Sequence, residues 1–223
     1  VHIRIIAIVL MLGLAACVAN QPQGDAATQR SLLLQKKTAQ RLNDAETNPQ
    51  LLWQINEYAL VRVVRCQRCH EPEGRSKTPD MPFLAGQNPL YTIEQFLRYA
   101  DGRRKDFNMR TLAATMSDDD MINLAIYYAK MPIRPAGGGT REQQEQGKRI
   151  FDAKCVACHG KDGRGKEAFP SLAGQRPKYV VKMLRAYRLG EKGRHNNPVM
   201  TPLAQSLKDE DMEAVAAYVA NLR

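Results

Sequence analysis

Cys66-Gln67-Arg68-Cys69-His70 and Cys155-Val156-Ala157-Cys158-His159 repeat one chemical arrangement: two thiols three residues apart, followed at once by an imidazole. This is the attachment pattern of c-type haem, in which each thiol bonds to a vinyl group and the His offers a ring nitrogen to the iron. The spacing therefore predicts two covalent haem c groups, held by Cys66, Cys69, Cys155 and Cys158, with His70 and His159 as axial ligands. The chemistry of such a pair is single-electron transfer. A structural zinc site built from the same four thiols is the competing use. The fifth cysteine, Cys17, has no mate left for a disulfide.

A six-coordinate haem needs a ligand on its far side, and methionine there raises the reduction potential. Most methionines are packing residues, so each candidate is weighed. Met116 aligns with Leu207, and Met121 and Met212 lie on the apolar face of a closing helix. That leaves Met109 and Met200, which align with each other and precede the closing helices in loop-like sequence. His195 competes with Met200 and would make the second iron bis-His, but the first repeat has no equivalent His. Each axial imidazole also needs its other nitrogen held. Pro82 lies 12 residues after His70 and Pro170 lies 11 after His159. A proline there fixes the backbone and can aim its carbonyl at the imidazole; the alternative is a proline that only marks a turn.

An internal repeat positions these residues. The two Cys motifs are 89 residues apart, and Pro82-Phe83-Leu84-Ala85-Gly86-Gln87 matches Pro170-Ser171-Leu172-Ala173-Gly174-Gln175 at an offset of 88. Tyr91, Tyr99 and Gly102 match Tyr179, Tyr187 and Gly190 at the same offset, and Met109 and Met121 match Met200 and Met212 at 91. This is one domain duplicated. Met121, Leu124, Ala125 and Tyr128 recur with helical spacing, as do Met212, Val215, Ala216 and Val219. Ser117 is placed to cap the first of these helices, and Thr140 through Gln143 is a capping box. Neither repeat has a strand-like run. The expected fold is all-α: two tandem domains, each with a helix before its Cys motif, a middle helix and a closing helix. The boundaries are 51–132 and 140–223, joined by the Pro/Gly-rich segment 133–139. Residues 18–30 are expected to be a polar tether and 31–50 an extra helix.

The first 16 residues have the form of an export signal, with Arg4 before an apolar run too short to span a bilayer. Leu14-Ala15-Ala16-Cys17 resembles a lipoprotein processing box, which implies a lipid-anchored Cys17 opening a segment, 17–50, that ties the protein to a membrane. Val18 is not the Asp typical of inner-membrane retention, which points to the outer membrane. Cleavage near Ala19 with loss of Cys17 is the alternative. The formal net charge is +10. That charge suits redox partners with acidic docking surfaces or anionic lipid. The basic residues are scattered and no nucleic-acid-binding motif is present, so nucleic acid is excluded as a partner.

Taken together, these residues resemble the dihaem cytochrome c4 family, two class I c-type cytochrome domains in tandem, over roughly 52–223. The resemblance rests on the two Cys-x-x-Cys-His motifs, the two Leu-Ala-Gly-Gln segments with the Tyr helices after them, and Met109 and Met200. It implies that Pro82 and Pro170 hold the His ligands by their carbonyls, and that the protein is a periplasmic carrier of single electrons towards acceptors such as terminal oxidases. A dihaem peroxidase-like enzyme, or a permanent cytochrome subunit of a dehydrogenase or oxidase, is the alternative. The second repeat fits better, with Gly147 and Phe151 before Cys155 and Gly160 after His159. The same count from Cys66 reaches Tyr58 and Arg62, and Glu71 follows His70. A close crossing of first and last helices is expected at Gly147, and Tyr58 cannot make it in the same way.

Overall fold

The computed structural model describes residues 26–190 and 197–223, and every regular element among them is helical. The first unit comprises α1 (Ala26–Thr47), α2 (Pro49–Arg62), α3 (Val64–His70), α4 (Pro89–Ala100), α5 (Phe107–Ala113) and α6 (Asp118–Ala129). The second comprises α7 (Arg141–Lys154), α8 (Val156–His159), α9 (Pro177–Arg188), α10 (Met200–Gln205) and α11 (Asp209–Val219). Among the described residues no helix is long and apolar enough to cross a membrane.

Local sequence sets the helix starts. Asn48 accepts a hydrogen bond from the Leu51 N–H, with Pro49 in the first turn of α2. Ser117 and Asp120 form a reciprocal capping box on α6, and Thr140 and Gln143 do the same on α7. The extra helix α1 begins at Ala26, so residues 26–30 of the expected tether are helical, and it ends at Thr47 rather than 50. It stops there because the residue before a proline is pushed out of the helical region, and Asn48-Pro49 opens the next helix. Leu34 and Thr38 of α1 are fully buried, and Leu34 joins Ile55, Ile93, Phe96, Met121 and Ile126 in the first core.

The two units solve the crossing of first and last helices differently. In the second, Gly147 of α7 lies directly against the Ala214 backbone of α11, and Phe151, fully buried, packs on Tyr218 at 5.3 Å between ring centroids. In the first, Ala59 and Val63 are the buried residues, packed with Leu124 and Tyr128 of α6. They lie seven and three residues before Cys66, one place out of register with Gly147 and Phe151. Tyr58 and Arg62 instead form a polar seam at the surface: the Arg62 guanidinium sits 3.5 Å over the Tyr58 ring, and both side chains meet Asp120 of α6.

The units are joined around the two Leu-Ala-Gly-Gln segments. Ile133 lies against both Gly86 and Gly174; a Cβ on Gly86 would come within 2.1 Å of Ile133 Cγ1. Gln87 Nε2 donates to the Ser171 carbonyl at 3.0 Å while its Oε1 accepts from the Ser171 N–H at 2.7 Å. Gln175 repeats this on Phe83, with bonds of 3.0 and 2.8 Å. Phe83 and Ser171 occupy equivalent positions of the repeat, so the exchange is reciprocal.

Candidate haem-binding sites

The Cys-x-x-Cys-His spacing has a helical cause. Residues at i, i+3 and i+4 share one face of a helix. The His159 N–H bonds to the Cys155 carbonyl at 3.0 Å, closing that turn. In the first unit Cys66, Cys69 and His70 all fall within α3. None of the four motif cysteines is joined in a disulfide; Cys66 and Cys155 are buried, Cys69 is exposed and Cys158 is half-buried. Burial raises the pKa of the Cys66 thiol and pushes that of Cys155 up to about 11.

His70 Nδ1 lies 3.1 Å from the Pro82 carbonyl oxygen, and His159 Nδ1 lies 2.9 Å from that of Pro170. A carbonyl only accepts, so Nδ1 carries the proton in each bond and Nε2 keeps its lone pair. Both imidazoles are buried, which lowers their pKa values, while the carbonyl bonds act in the opposite direction. The loops that deliver these carbonyls are built alike. The Gly74 carbonyl accepts from the Leu84 N–H at 2.7 Å, and the Gly163 carbonyl accepts from the Leu172 N–H at 2.6 Å.

Met109 and Met200 lie in short helices rather than loops. Met109 is the third residue of α5, where the Asp106 carboxylate accepts its N–H at 3.0 Å. Met200 opens α10, its N–H accepted by Asn197 Oδ1 at 2.8 Å. The polar residue ahead of each methionine supplies the missing acceptor, which is what turns loop-like sequence into a helical turn. Met109 packs against the first core and Met200 against the second. Met121 and Met212 are fully buried core residues. His195 and Cys17 lie outside the described residues.

Sequence reasoning passed over two groups. One is the glutamine pair, visible only as the last letters of a repeated segment. The other is Arg104, which is buried between the units. Arg104 donates to Gln95 Oε1 at 2.7 Å and to the Tyr179 hydroxyl at 3.1 Å, and lies 4.7 Å from the centre of the Tyr99 ring. Burial pushes the Tyr99 phenol up to about 12, so this side chain stays neutral beside the guanidinium. Four tyrosines at repeating positions were a signal for a shared cluster; nothing marked Arg104 as its centre.

Two paired thiols in no disulfide, each pair followed by a buried imidazole held at Nδ1 so that Nε2 would face a metal, are the donor set that haem c requires, so the residues fit the group. A helical protein with two such sites, one in each copy of a repeat, is a two-domain c-type cytochrome. The family model for cytochrome c matches residues 144–223, the second unit. Cytochrome c4 of Pseudomonas aeruginosa is 32% identical over 167 residues, spanning 70% of this chain and 83% of that protein. The thiosulfate dehydrogenase electron acceptor of Stutzerimonas stutzeri is 31% identical over 172 residues, spanning 72% and 80%. The crystal structure of reduced recombinant cytochrome c4 from Pseudomonas stutzeri matches with a TM-score of 0.68 at 28% identity, covering 75% of this chain and 98% of that one. The chain belongs to the cytochrome c4 family. It is an electron carrier with two haem c groups, one for each Cys-x-x-Cys-His motif.

Proposed function

We propose that the protein carries single electrons between redox proteins in the periplasm, as a membrane-tethered cytochrome with two His/Met-ligated irons. Cys66 and Cys69 hold one haem and Cys155 and Cys158 the other. His70 with Met109 would hold one iron, and His159 with Met200 the other. Bound haem c supplies a one-electron iron couple. The chain supplies the orientation: the Pro82 and Pro170 carbonyls fix the tautomer of each imidazole and leave Nε2 free for iron. The observation that carries this reading is that pair of bonds, 3.1 and 2.9 Å long, made in the same way in both units. The haem domains are 51–132 and 140–223, with 133–139 as linker; α1, ahead of 51, packs onto the first of them. A lipid on Cys17 holds the protein to the membrane through residues 17–50, after removal of 1–16.

An optical redox titration combined with pyridine haemochrome analysis tests the reading. Two covalent haems per chain are expected, low-spin in both oxidation states, with the far-red absorption of methionine-ligated ferric haem. A high-spin haem with rapid peroxide turnover would instead make the protein an enzyme. For the donor, likeness to the thiosulfate dehydrogenase electron acceptor favours such a dehydrogenase, and a terminal oxidase remains the acceptor in this scheme. Reduction of the purified protein by thiosulfate, only when the dehydrogenase is added, is the expected result. Tethering is tested by mass spectrometry of the N-terminal peptide and by membrane fractionation of a Cys17→Ala variant.

A further inference from the structure

The carbonyl that faces each histidine and the N–H held by the other unit's glutamine belong to a single peptide group. The Pro82 carbonyl bonds to His70 Nδ1, and the N–H of that same peptide, from Phe83, donates to Gln175 Oε1 at 2.8 Å. Gln175 then donates back to the Phe83 carbonyl at 3.0 Å, so the glutamine amide grips both peptides that flank Phe83. The second unit is built the same way. The Pro170 carbonyl bonds to His159 Nδ1, and the Ser171 N–H donates to Gln87 Oε1 at 2.7 Å, with Gln87 donating back to the Ser171 carbonyl at 3.0 Å. Each glutamine Oε1 also accepts the N–H of the next residue in its own unit, Asn88 or Arg176. Glutamine and histidine are thus joined across the molecule in a crossed pattern: Gln175 to His70 and Gln87 to His159.

Hydrogen bonds in a chain polarise one another in the interior. A peptide whose N–H is donated to a good acceptor has a more electron-rich carbonyl. That carbonyl takes a stronger bond from the imidazole N–H, and the imidazole becomes a more basic ligand. An electron-rich ligand favours ferric iron and lowers the reduction potential. We propose that Gln175 and Gln87 are positioning residues that tune the axial histidine of the opposite unit, so that docking of the two units sets both potentials. This rests on the assignment of His70 and His159 as iron ligands.

The test is a redox titration of the holoprotein followed by NMR, in which haem methyl signals assign each potential to its Cys-x-x-Cys-His motif. Gln175→Met keeps the shape of the side chain and removes the strong acceptor. It is expected to shift the reduction equilibrium of the haem at Cys66 about threefold towards the reduced form, about 28 mV at 59 mV per tenfold, and to leave the haem at Cys155 unmoved. Gln87→Met is expected to do the reverse. It sits at the less buried of the two sites, and it carries the test if Gln175→Met does not fold. A shift confined to the haem of the mutated unit, an equal shift of both, or no shift in a folded variant with two haems would overturn the proposal. Wild-type protein that lacks two His-ligated haems would instead overturn the ligand assignment.

Discussion

Gly147 and Ala214 bring α7 and α11 into backbone contact: a Cβ added at Gly147 would lie 2.0 Å from the Ala214 carbonyl oxygen and 2.5 Å from its carbon. The obstacle is backbone on the facing helix, so no rotamer change relieves it. Gly147→Ala is expected to force the helices apart and destabilise the protein by about 3 kcal/mol, the upper end for overpacking. Urea unfolding followed by helical circular dichroism measures the loss. Ala59→Ser, in the first unit's looser crossing, is expected to cost less than Gly147→Ala.

Glu71 follows His70 with φ 64° and ψ 162°, a conformation nearly reserved for glycine, and Gly160 holds the matching place after His159 with φ 77° and ψ 159°. The first unit therefore bears strain that the second avoids. Glu71→Gly is expected to stabilise the protein by about 1 kcal/mol, since the relieved strain exceeds the entropy that glycine costs. A thermal melt should show a higher midpoint. The exposed contact from Glu71 to Lys77, 3.6 Å long, is too weak to reverse the sign.

Asp209, in the first turn of α11, accepts from Arg188 at 2.5 Å and from Arg185 at 2.9 Å, tying α9 to α11. The Arg188 bond, with Arg185 adding to it, holds its carboxyl below the ordinary value of 3.8. A depressed folded-state pKa gives stability that is present above the unfolded value and lost as pH falls through the folded one. Asp209→Asn is therefore expected to lower the urea midpoint at pH 7. The gap to wild type should close as the pH drops below about 3.8. Urea titrations across that window check both the sign and the range.

Under the proposed function, each haem has its own pair of cysteines. Replacing Cys66 and Cys69 together by serine is expected to reduce covalent haem from two per chain to one, as counted by pyridine haemochrome. The same double change at Cys155 and Cys158 should also leave one. Retention of two haems in either variant would contradict the assignment of thioether sites.

The legible parts of this protein are those governed by local chemistry. The Cys motifs follow from one helical turn, and the caps at Ser117 and Thr140 are visible in four-residue patterns. The duplication lies in plain matches of spacing. Pro82 and Pro170 stood at the right distance from the histidines to offer a carbonyl. Less visible was the helical turn at each methionine, because a six- or seven-residue helix carries too little periodicity to separate from loop. The register of the first crossing was hidden for a similar reason. Counting back from Cys66 chooses Tyr58, but packing against Leu124 and Tyr128 chooses Ala59.

By itself the sequence determined that there are two haem sites, in two helical units descended from one. Thiol, imidazole and cap spacing act over a single turn, and the backbone makes that geometry without help from distant residues. Tertiary structure alone decided which distant groups meet. Gln175 reaches Phe83 across 92 residues and Gln87 reaches Ser171 across 84, and Arg104 meets Tyr179 across 75. A hydrogen bond between such partners depends on how the units dock around Ile133, and no local periodicity records that docking.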